Sequence, residues 1–214
     1  MKQFAVIGLG RFGLSVARTL SRMGYEVLAV DTDAERVNEI TDEVTYAVQV
    51  DAMEEEALKS LGLRNFDVVV VAIGQEVKAS ILVTVMLKEM GVPRIVAKAN
   101  DELHGRVLQK IGADVVVFPE RDMGVRVAHA LVSRNILDQI HLSPDYSIIE
   151  VVTPSRFMGK TLEESALRQK YGVTVMAIRR GNDIIISPGA RQVLQKDDVL
   201  VAIGRDEKLK QFGE

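Results

Sequence analysis

The sequence predicts a doubly wound α/β fold followed by a smaller α+β lobe, and three observations support this prediction. Up to about residue 118, short apolar runs rich in β-branched residues alternate with segments of helical periodicity. The runs are apolar almost throughout, which is typical of strands buried on both faces of a parallel sheet. After about residue 145 the pattern changes, and a hairpin signal appears at Gly181-Asn182.

Six strands are predicted in the first part of the chain. They are FAVIG at 4–8, EVLAVD at 26–31, TYAVQV at 45–50, DVVVVAIG at 67–74, RIVAKA at 94–99 and DVVVFP at 114–119. The segments between them have helical periodicity, and several end in glycine, as helix C-termini often do. Strands that alternate with crossover helices form a parallel sheet. We therefore expect residues 1–121 to form a six-stranded parallel sheet.

A longer amphipathic helix is predicted at residues 122–141, with an apolar stripe suited to a partner. The segment HLSPDYS that ends it is predicted to be a linker, so that 122–144 form a crossover helix and linker. Residues 145–214 contain four predicted strands, one helix over TLEESALRQKYG and a second helix in the tail. They are expected to form a small α+β lobe.

Composition excludes several classes of function. The net charge of −3 gives no general reason to expect nucleic-acid binding, and the absence of cysteine excludes disulfides, thiolate metal sites and cysteine nucleophiles. MKQFAVIG leads directly into a strand, and no apolar run approaches the roughly 20 residues that span a bilayer. We expect a cytoplasmic protein that does not bind nucleic acid.

A glycine motif follows the first predicted strand. Gly8, Gly10 and Gly13 fit G-x-G-x-x-G between a strand and a helix, the context in which glycines let the backbone approach a pyrophosphate. Asp31 ends the second strand, close to the offset expected for a carboxylate that binds ribose hydroxyls. Thr32 stands where an arginine would favour a 2′-phosphate. The pattern predicts a Rossmann nucleotide site with NADP disfavoured.

Further candidates lie at the same ends of the strands. Arg11, inside the glycine loop, is either a phosphate contact or a solvated arginine. Asp51 is either a contact for the adenosine half or the N-cap of the next helix. The other candidates are Phe12, Ala52, Ala72, Ile73 and Gly74.

Lys98 and Glu120 follow the fifth and sixth strands. Both are placed at the edge where open α/β sheets bind ligands, and a lysine suits phosphate oxygens. A carboxylate beside phosphates is unfavourable unless a cation lies between them, so Glu120 is either a metal ligand or a helix cap or surface charge.

The sequence distinguishes an enzyme from a sensor only in part. A nicotinamide dehydrogenase needs an acid or base next to its substrate, and residues 145–214 contain no histidine. No GxxxxGK[ST] motif for nucleotide hydrolysis is present. Two alternatives to a nucleotide sensor remain open, an NAD-dependent oxidoreductase and an NADH-binding redox sensor.

The whole chain resembles one family. FAVIGLGRFG, EVLAVD, RNFDVVVVAIG, KIGADVVVFPERDMG and ISPGARQVLQKDDVLVAIG, in this order, are similar to the RCK (regulator of K⁺ conductance) family. The likeness is greatest to the cytosolic gating subunits of Ktr-type potassium uptake systems. It covers both lobes.

The resemblance implies a function and roles for individual residues. Members bind ATP, ADP or NAD(H), with Asp31 matching the ribose ligand, Arg11 the sensor of the terminal phosphate, and Glu120 a ligand for a divalent cation, Mg²⁺ or Ca²⁺. The helix at 122–141 matches the crossover that pairs protomers. Eight copies are implied to form a ring below a membrane-embedded Ktr- or Trk-type potassium-translocating subunit, which would place the chain at the inner face of the membrane.

The resemblance also implies a second ligand. In several relatives the C-terminal lobe binds cyclic di-AMP between two copies. The positions that match this pocket are Arg168, Val173, Val175 and Pro188.

Overall fold

The computed structural model describes residues 2–132 and 136–213, which form two compact units divided after Arg121. Each unit has its own sheet and its own hydrophobic core. Within these described ranges, no helix combines the length and the apolar character needed to cross a membrane.

The first unit is built on a six-stranded parallel sheet. Its strands are β1 (Gln3–Ile7), β2 (Glu26–Asp31), β3 (Tyr46–Gln49), β4 (Val68–Val71), β5 (Ile95–Lys98) and β6 (Val115–Val117). Its helices are α1 (Arg11–Arg22), α2 (Ala34–Ile40), α3 (Glu55–Ser60), α4 (Val77–Glu89) and α5 (Glu102–Lys110). The strand order β3-β2-β1-β4-β5-β6 confirms the predicted doubly wound fold.

The two faces of this sheet carry separate cores, which explains the near-continuous apolar runs. Ala5 and Ile7 of β1 belong to one buried cluster, while Val6 between them belongs to another. Successive side chains of a strand point to opposite faces, so a strand covered on both sides must be apolar at every position.

The prediction of one helix over residues 122–141 is wrong in its second half. Helix α6 spans Pro119–Val132, residues 133–135 lie outside the described residues, and Ile136–Ser143 form strand β7. β7 pairs antiparallel with β8 (Tyr146–Val152), so the predicted linker HLSPDYS is the end of one strand, a hairpin turn at 144–145 and the start of the next strand. The apolar spacing of ILDQIHLS is compatible with a helix, but pairing with β8 satisfies the backbone groups and packs Ile136 on the core.

The second unit is a five-stranded antiparallel sheet with short helices. Its further elements are α7 (Leu162–Ser165), α8 (Leu167–Tyr171), β9 (Thr174–Arg180), β10 (Asp183–Ile186), β11 (Val199–Arg205) and α9 (Asp206–Gly213). The strand order is β10-β9-β11-β8-β7, and the predicted turn at Gly181-Asn182 joins β9 to β10.

The predicted single helix over TLEESALRQKYG is divided at Ala166. This residue has a φ of +48°, the left-handed conformation, between α7 and α8. Ser165 and Leu167 are both buried. On a continuous helix these two residues would lie about 200° apart, so the break directs both side chains inward.

An ion pair between Arg180 and the buried Asp198 connects β9 to the turn before β11. Asp198 is 1% exposed and accepts two hydrogen bonds from Arg180, at 2.8 and 2.7 Å, and one from the Gln195 N–H at 2.8 Å. Burial alone would raise the pKa of Asp198, but the hydrogen bonds from Arg180 and Gln195 hold it below its ordinary value. The ionised carboxylate therefore stabilises the folded second unit.

We expect Arg180→Ala to destabilise the second unit by about 2–3 kcal/mol at pH 7, because it leaves a buried carboxylate without its cation. Since the folded pKa of Asp198 is lowered, this contribution is present at neutral pH and is lost as the pH falls below the ordinary value of 3.8. Hydrogen exchange of the β9 and β11 amides in urea, at pH 7 and pH 3, measures both effects.

The matched control is Arg179→Ala, which removes the neighbouring exposed pair with Glu150. Its expected cost is below about 1 kcal/mol. Equal losses for the two variants would contradict a special role for the buried pair.

Candidate functional site

The carboxyl ends of β1, β2, β4 and β5 surround a cavity of about 930 Å³ in the first unit. All of the predicted nucleotide-site residues except Gly13 line it, including positions as distant in sequence as Gly8 and Glu120. Its size is in the range of small-molecule and cofactor sites, and this edge is where open α/β sheets bind ligands.

The three glycines of the loop are needed for different reasons. Gly8 has a φ of +96°, and a Cβ added to Gly13 would lie 1.8 Å from the Gly8 carbonyl oxygen. A Cβ added to Gly10, by contrast, would meet no atom within 4 Å. The fold therefore requires Gly8 and Gly13, while Gly10 leaves a space at the cavity wall that a ligand can enter.

The start of α1 is suited to an anion. Gly10 is its N-cap residue and provides no side-chain acceptor for the first turn, whose N–H groups need a partner. A helix N-terminus carries positive potential, and the exposed Arg11 in the first helical position adds a formal charge. Both features line the cavity and fit phosphate groups.

Asp31, at the end of β2, holds the glycine loop in place. Its Oδ2 accepts a hydrogen bond from the Leu9 N–H at 2.5 Å, and its Oδ1 accepts one from the Asp33 N–H at 2.9 Å. Because each carboxylate oxygen has two lone pairs, Asp31 retains acceptor capacity for a ribose hydroxyl. One carboxylate thus shapes the loop and faces the cavity.

Asp51 caps a turn and not a helix. Its Oδ1 accepts a hydrogen bond from the Met53 N–H at 2.9 Å, whereas α3 begins at Glu55 with Glu54 as its N-cap. The alternative in which Asp51 is the N-cap of the next helix is therefore wrong. Asp51 lines the cavity next to Ala52 and Met53.

On the β5 side of the cavity, Lys98 and Glu120 form an ion pair. The Lys98 Nζ lies 2.6 Å from Glu120 Oε1, with the lysine side chain 11% exposed and the carboxylate 70% exposed. The hydrogen bond from Lys98 holds the pKa of Glu120 below its ordinary value. A phosphate that enters this side would compete with Glu120 for the lysine.

Among the described residues, Glu120 does not belong to a cluster of carboxylate and histidine side chains that could hold a metal ion by itself. In residues 2–132 and 136–213, no group of three such side chains could hold a metal ion. Mg²⁺ is commonly bound by one or two carboxylates together with phosphates and water. The residues therefore fit a cation that bridges to phosphates, and do not form a complete metal cage.

Asn100 and Arg36 are among the cavity residues that were missed from the sequence. Asn100 donates a hydrogen bond from Nδ2 to the Gly74 carbonyl, and Arg36 lies 3.7 Å from Asp31. Alternation along a strand places positions 98 and 100 on one face, so the signal for Asn100 was present in KAND. Arg36 could not be predicted as a cavity residue from the sequence, because it reaches the cavity only through the turn at Asp33 that places α2 there.

The four positions expected to contact cyclic di-AMP differ in exposure. Val173 is 1% exposed and packs in the core of the second unit, so its side chain does not face a ligand in this conformation. Arg168 is exposed, while Val175 and Pro188 are half-buried.

Comparison with known proteins gives two family matches and close relatives. A TrkA-N domain matches residues 4–119, and a TrkA-C domain matches residues 146–214. The chain is 49% identical to Ktr system potassium uptake protein C of Bacillus subtilis (strain 168) over 211 residues, 99% of this chain and 96% of that protein. It is 45% identical to Ktr system potassium uptake protein A of Vibrio alginolyticus over 208 residues, 97% and 94% of the two chains.

A solved structure agrees with these matches at the level of the fold. The GsuK channel bound to NAD has a TM-score of 0.65 at 20% identity, over 97% of this chain and 38% of that one. The TrkA-N match precedes the TrkA-C match along the chain, and together they cover both lobes. The chain therefore belongs to the RCK family, with paired TrkA-N and TrkA-C domains, and is homologous to the Ktr potassium uptake proteins.

Proposed function

We propose that this chain is the cytoplasmic, nucleotide-sensing gating subunit of a potassium uptake system, and that it is not an enzyme. The observation that carries the proposal is the cavity above the glycine loop, lined by Asp31 for a ribose and by Arg11 and Lys98 for phosphates. It occurs in a chain that matches a Ktr potassium uptake protein over 99% of its length. The membrane partner would be a Ktr- or Trk-type potassium-translocating subunit.

The proposed ligands are ATP and ADP, with NAD(H) as an alternative. A structural neighbour with the same fold, the GsuK channel, has been solved bound to NAD, and open α/β sheets bind ligands at the carboxyl ends of their strands. In this chain the β5 side of the cavity offers a lysine and a carboxylate. That pair suits a phosphate and a divalent cation at Glu120 better than it suits the uncharged dihydronicotinamide ring of NADH.

A nucleotide changes the shape of an assembly only when it binds the two shapes with different affinity. ATP has a third phosphate that Arg11 and a cation at Glu120 can engage across an interface between copies. We infer that the working form is a homo-oligomeric ring of eight copies. ATP favours the shape that opens the potassium pathway and ADP the shape that closes it.

The two domains have different proposed binding functions. Residues 1–121 bind the nucleotide, and residues 145–214 bind a second ligand or another copy. Cyclic di-AMP is the proposed second ligand on the family resemblance, with Arg168, Val175 and Pro188 as contacts. Val173 would support this pocket from the core, because its side chain is buried.

The function is tested by titrating the purified chain with ATP, ADP, NADH and cyclic di-AMP while its mass in solution is measured. We expect octamers that bind ATP and ADP with different affinity. A monomer that binds only NADH, or that oxidises it with a substrate, would contradict the proposal and support a redox function.

The glycine loop gives a second prediction. Gly10→Ala has open space around its new Cβ in the free protein, so its melting temperature should stay within a few degrees of wild type, while ATP and ADP both bind roughly tenfold or more weakly. Gly13→Ala should lose both stability and binding, because its Cβ overlaps the Gly8 carbonyl. Calorimetric titration and thermal melts separate the two; unchanged affinity in Gly10→Ala would place the ligand elsewhere.

Arg11 is predicted to distinguish ATP from ADP. Arg11→Ala removes one charge-assisted contact, so ATP should bind about 10- to 100-fold more weakly with ADP affinity nearly unchanged. Arg22→Ala, in the last turn of the same helix, is the control and should leave both affinities unchanged. Equal losses of ATP and ADP in Arg11→Ala would show that Arg11 does not sense the third phosphate.

A further inference from the structure

His104, on α5, is buried and makes one hydrogen bond through its ring. Its Nδ1 accepts from the backbone N–H of Asn100 at 3.3 Å, while its own backbone N–H donates to Asp101 Oδ1 at 2.8 Å. An imidazole that accepts at Nδ1 carries its proton on Nε2 and is neutral. The side chain is 3% exposed, and burial lowers the pKa of His104, consistent with the neutral form.

The Nε2 of His104 is buried and has no hydrogen-bond partner among the described residues. A polar ring enclosed in this way is costly unless one of its atoms is needed. The nitrogen that is engaged, Nδ1, accepts from the backbone N–H of Asn100, one of the residues that line the cavity. We infer that the role of the ring is to hold the backbone of Asn100 in place.

Asn100 connects His104 to the β5 side of the cavity. Its Nδ2 donates to the Gly74 carbonyl, and its Oδ1 lies 3.7 Å from the position that a Cβ on Gly74 would take. The Lys98 Nζ lies 3.1 Å from the same position. Gly74, Lys98 and Asn100 therefore form one surface, which His104 supports from behind.

The same helix also supports the segment that carries Glu120. A Cβ added to Gly105 would lie 2.4 Å from the Phe118 ring, so α5 and Phe118 are in close contact. Arg121 lies over that ring, 3.9 Å from its centre, and pairs with Glu102. Both partners of the Lys98–Glu120 ion pair are thus connected to the first two turns of α5.

We propose that His104 is a positioning residue for the terminal phosphate of the bound nucleotide. It acts through Asn100 and Lys98 and does not touch the ligand. This inference rests on the proposed function, because it requires that a nucleotide binds with its last phosphate beside Lys98. The proposed role concerns the β5 side alone, so binding of the ribose at Asp31 is expected to be unchanged.

The test compares substitutions that differ in where they place an acceptor. The Oδ1 of His104→Asn reaches the position of Nδ1, whereas His104→Gln places its polar group nearer to Nε2, and His104→Ala has no acceptor. Calorimetric titration with ATP and with ADP is expected to give about 5- to 20-fold weaker ATP binding in His104→Ala and His104→Gln, with ADP changed less than about twofold. His104→Asn should bind both within about threefold of wild type.

Leu108→Ala is the matched control, because it opens a cavity one turn further along the same helix and removes no hydrogen-bonding group. It should lower the melting temperature without a selective loss of ATP. A selective loss in Leu108→Ala, equal losses for ATP and ADP in His104→Gln, or failure of His104→Asn to retain ATP binding would overturn the inference. If His104→Ala does not fold, the Asn and Gln variants still decide.

Failure of the proposed function gives a different result. If wild type binds no adenine nucleotide, that proposal fails, while hydrogen exchange still tests the contact itself. The Asn100 amide should exchange about 5- to 20-fold faster in His104→Gln than in wild type or His104→Asn, with no nucleotide added. Unchanged exchange would contradict the positioning role, whatever binds in the cavity.

Discussion

The candidate site depends on the close approach of Gly13 to the carbonyl oxygen of Gly8. A Cβ on Gly13 would overlap this oxygen. Because Gly13 has none, α1 can begin directly above the end of β1. That contact fixes the N-terminus of α1, and with it Arg11, at the edge of the cavity. Asp31 completes the arrangement from the neighbouring strand, because its carboxylate accepts the Leu9 N–H and prevents the loop from relaxing away from the sheet.

Charge is distributed unevenly along the cavity. Near β2 the buried Asp31 carboxylate accepts one backbone N–H on each oxygen and retains acceptor capacity for neutral hydroxyl groups. Near β5 the Lys98–Glu120 pair is accessible at its carboxylate and can exchange partners. In the proposed complex, a phosphate would take the place of Glu120 at Lys98, and a cation would take the place of Lys98 at Glu120. Neither residue would then be left unpaired.

The structure could be predicted from the sequence where a residue pattern is compatible with only one local conformation. The run VVVV is buried on both faces of a sheet, and the pattern GLGRFG requires a tight turn, so the first unit and most of its cavity residues could be predicted. ILDQIHLS permits both a helix and a strand, and only the pairing with β8 selects the strand. TLEESALRQKYG has good helical spacing, yet the burial of both Ser165 and Leu167 interrupts it.

The sequence by itself determined the doubly wound sheet, the glycine loop and the candidate residues at the strand ends, since each depends on neighbours in the chain. It was also sufficient to identify the family, because the motifs occur in one order across both domains. Only the tertiary structure decided that Asp51 caps a turn, that Val173 is buried, and that His104 supports Asn100. These properties depend on which elements pack against one another, and a contact between α5 and the end of β5 leaves no periodic signal in the sequence.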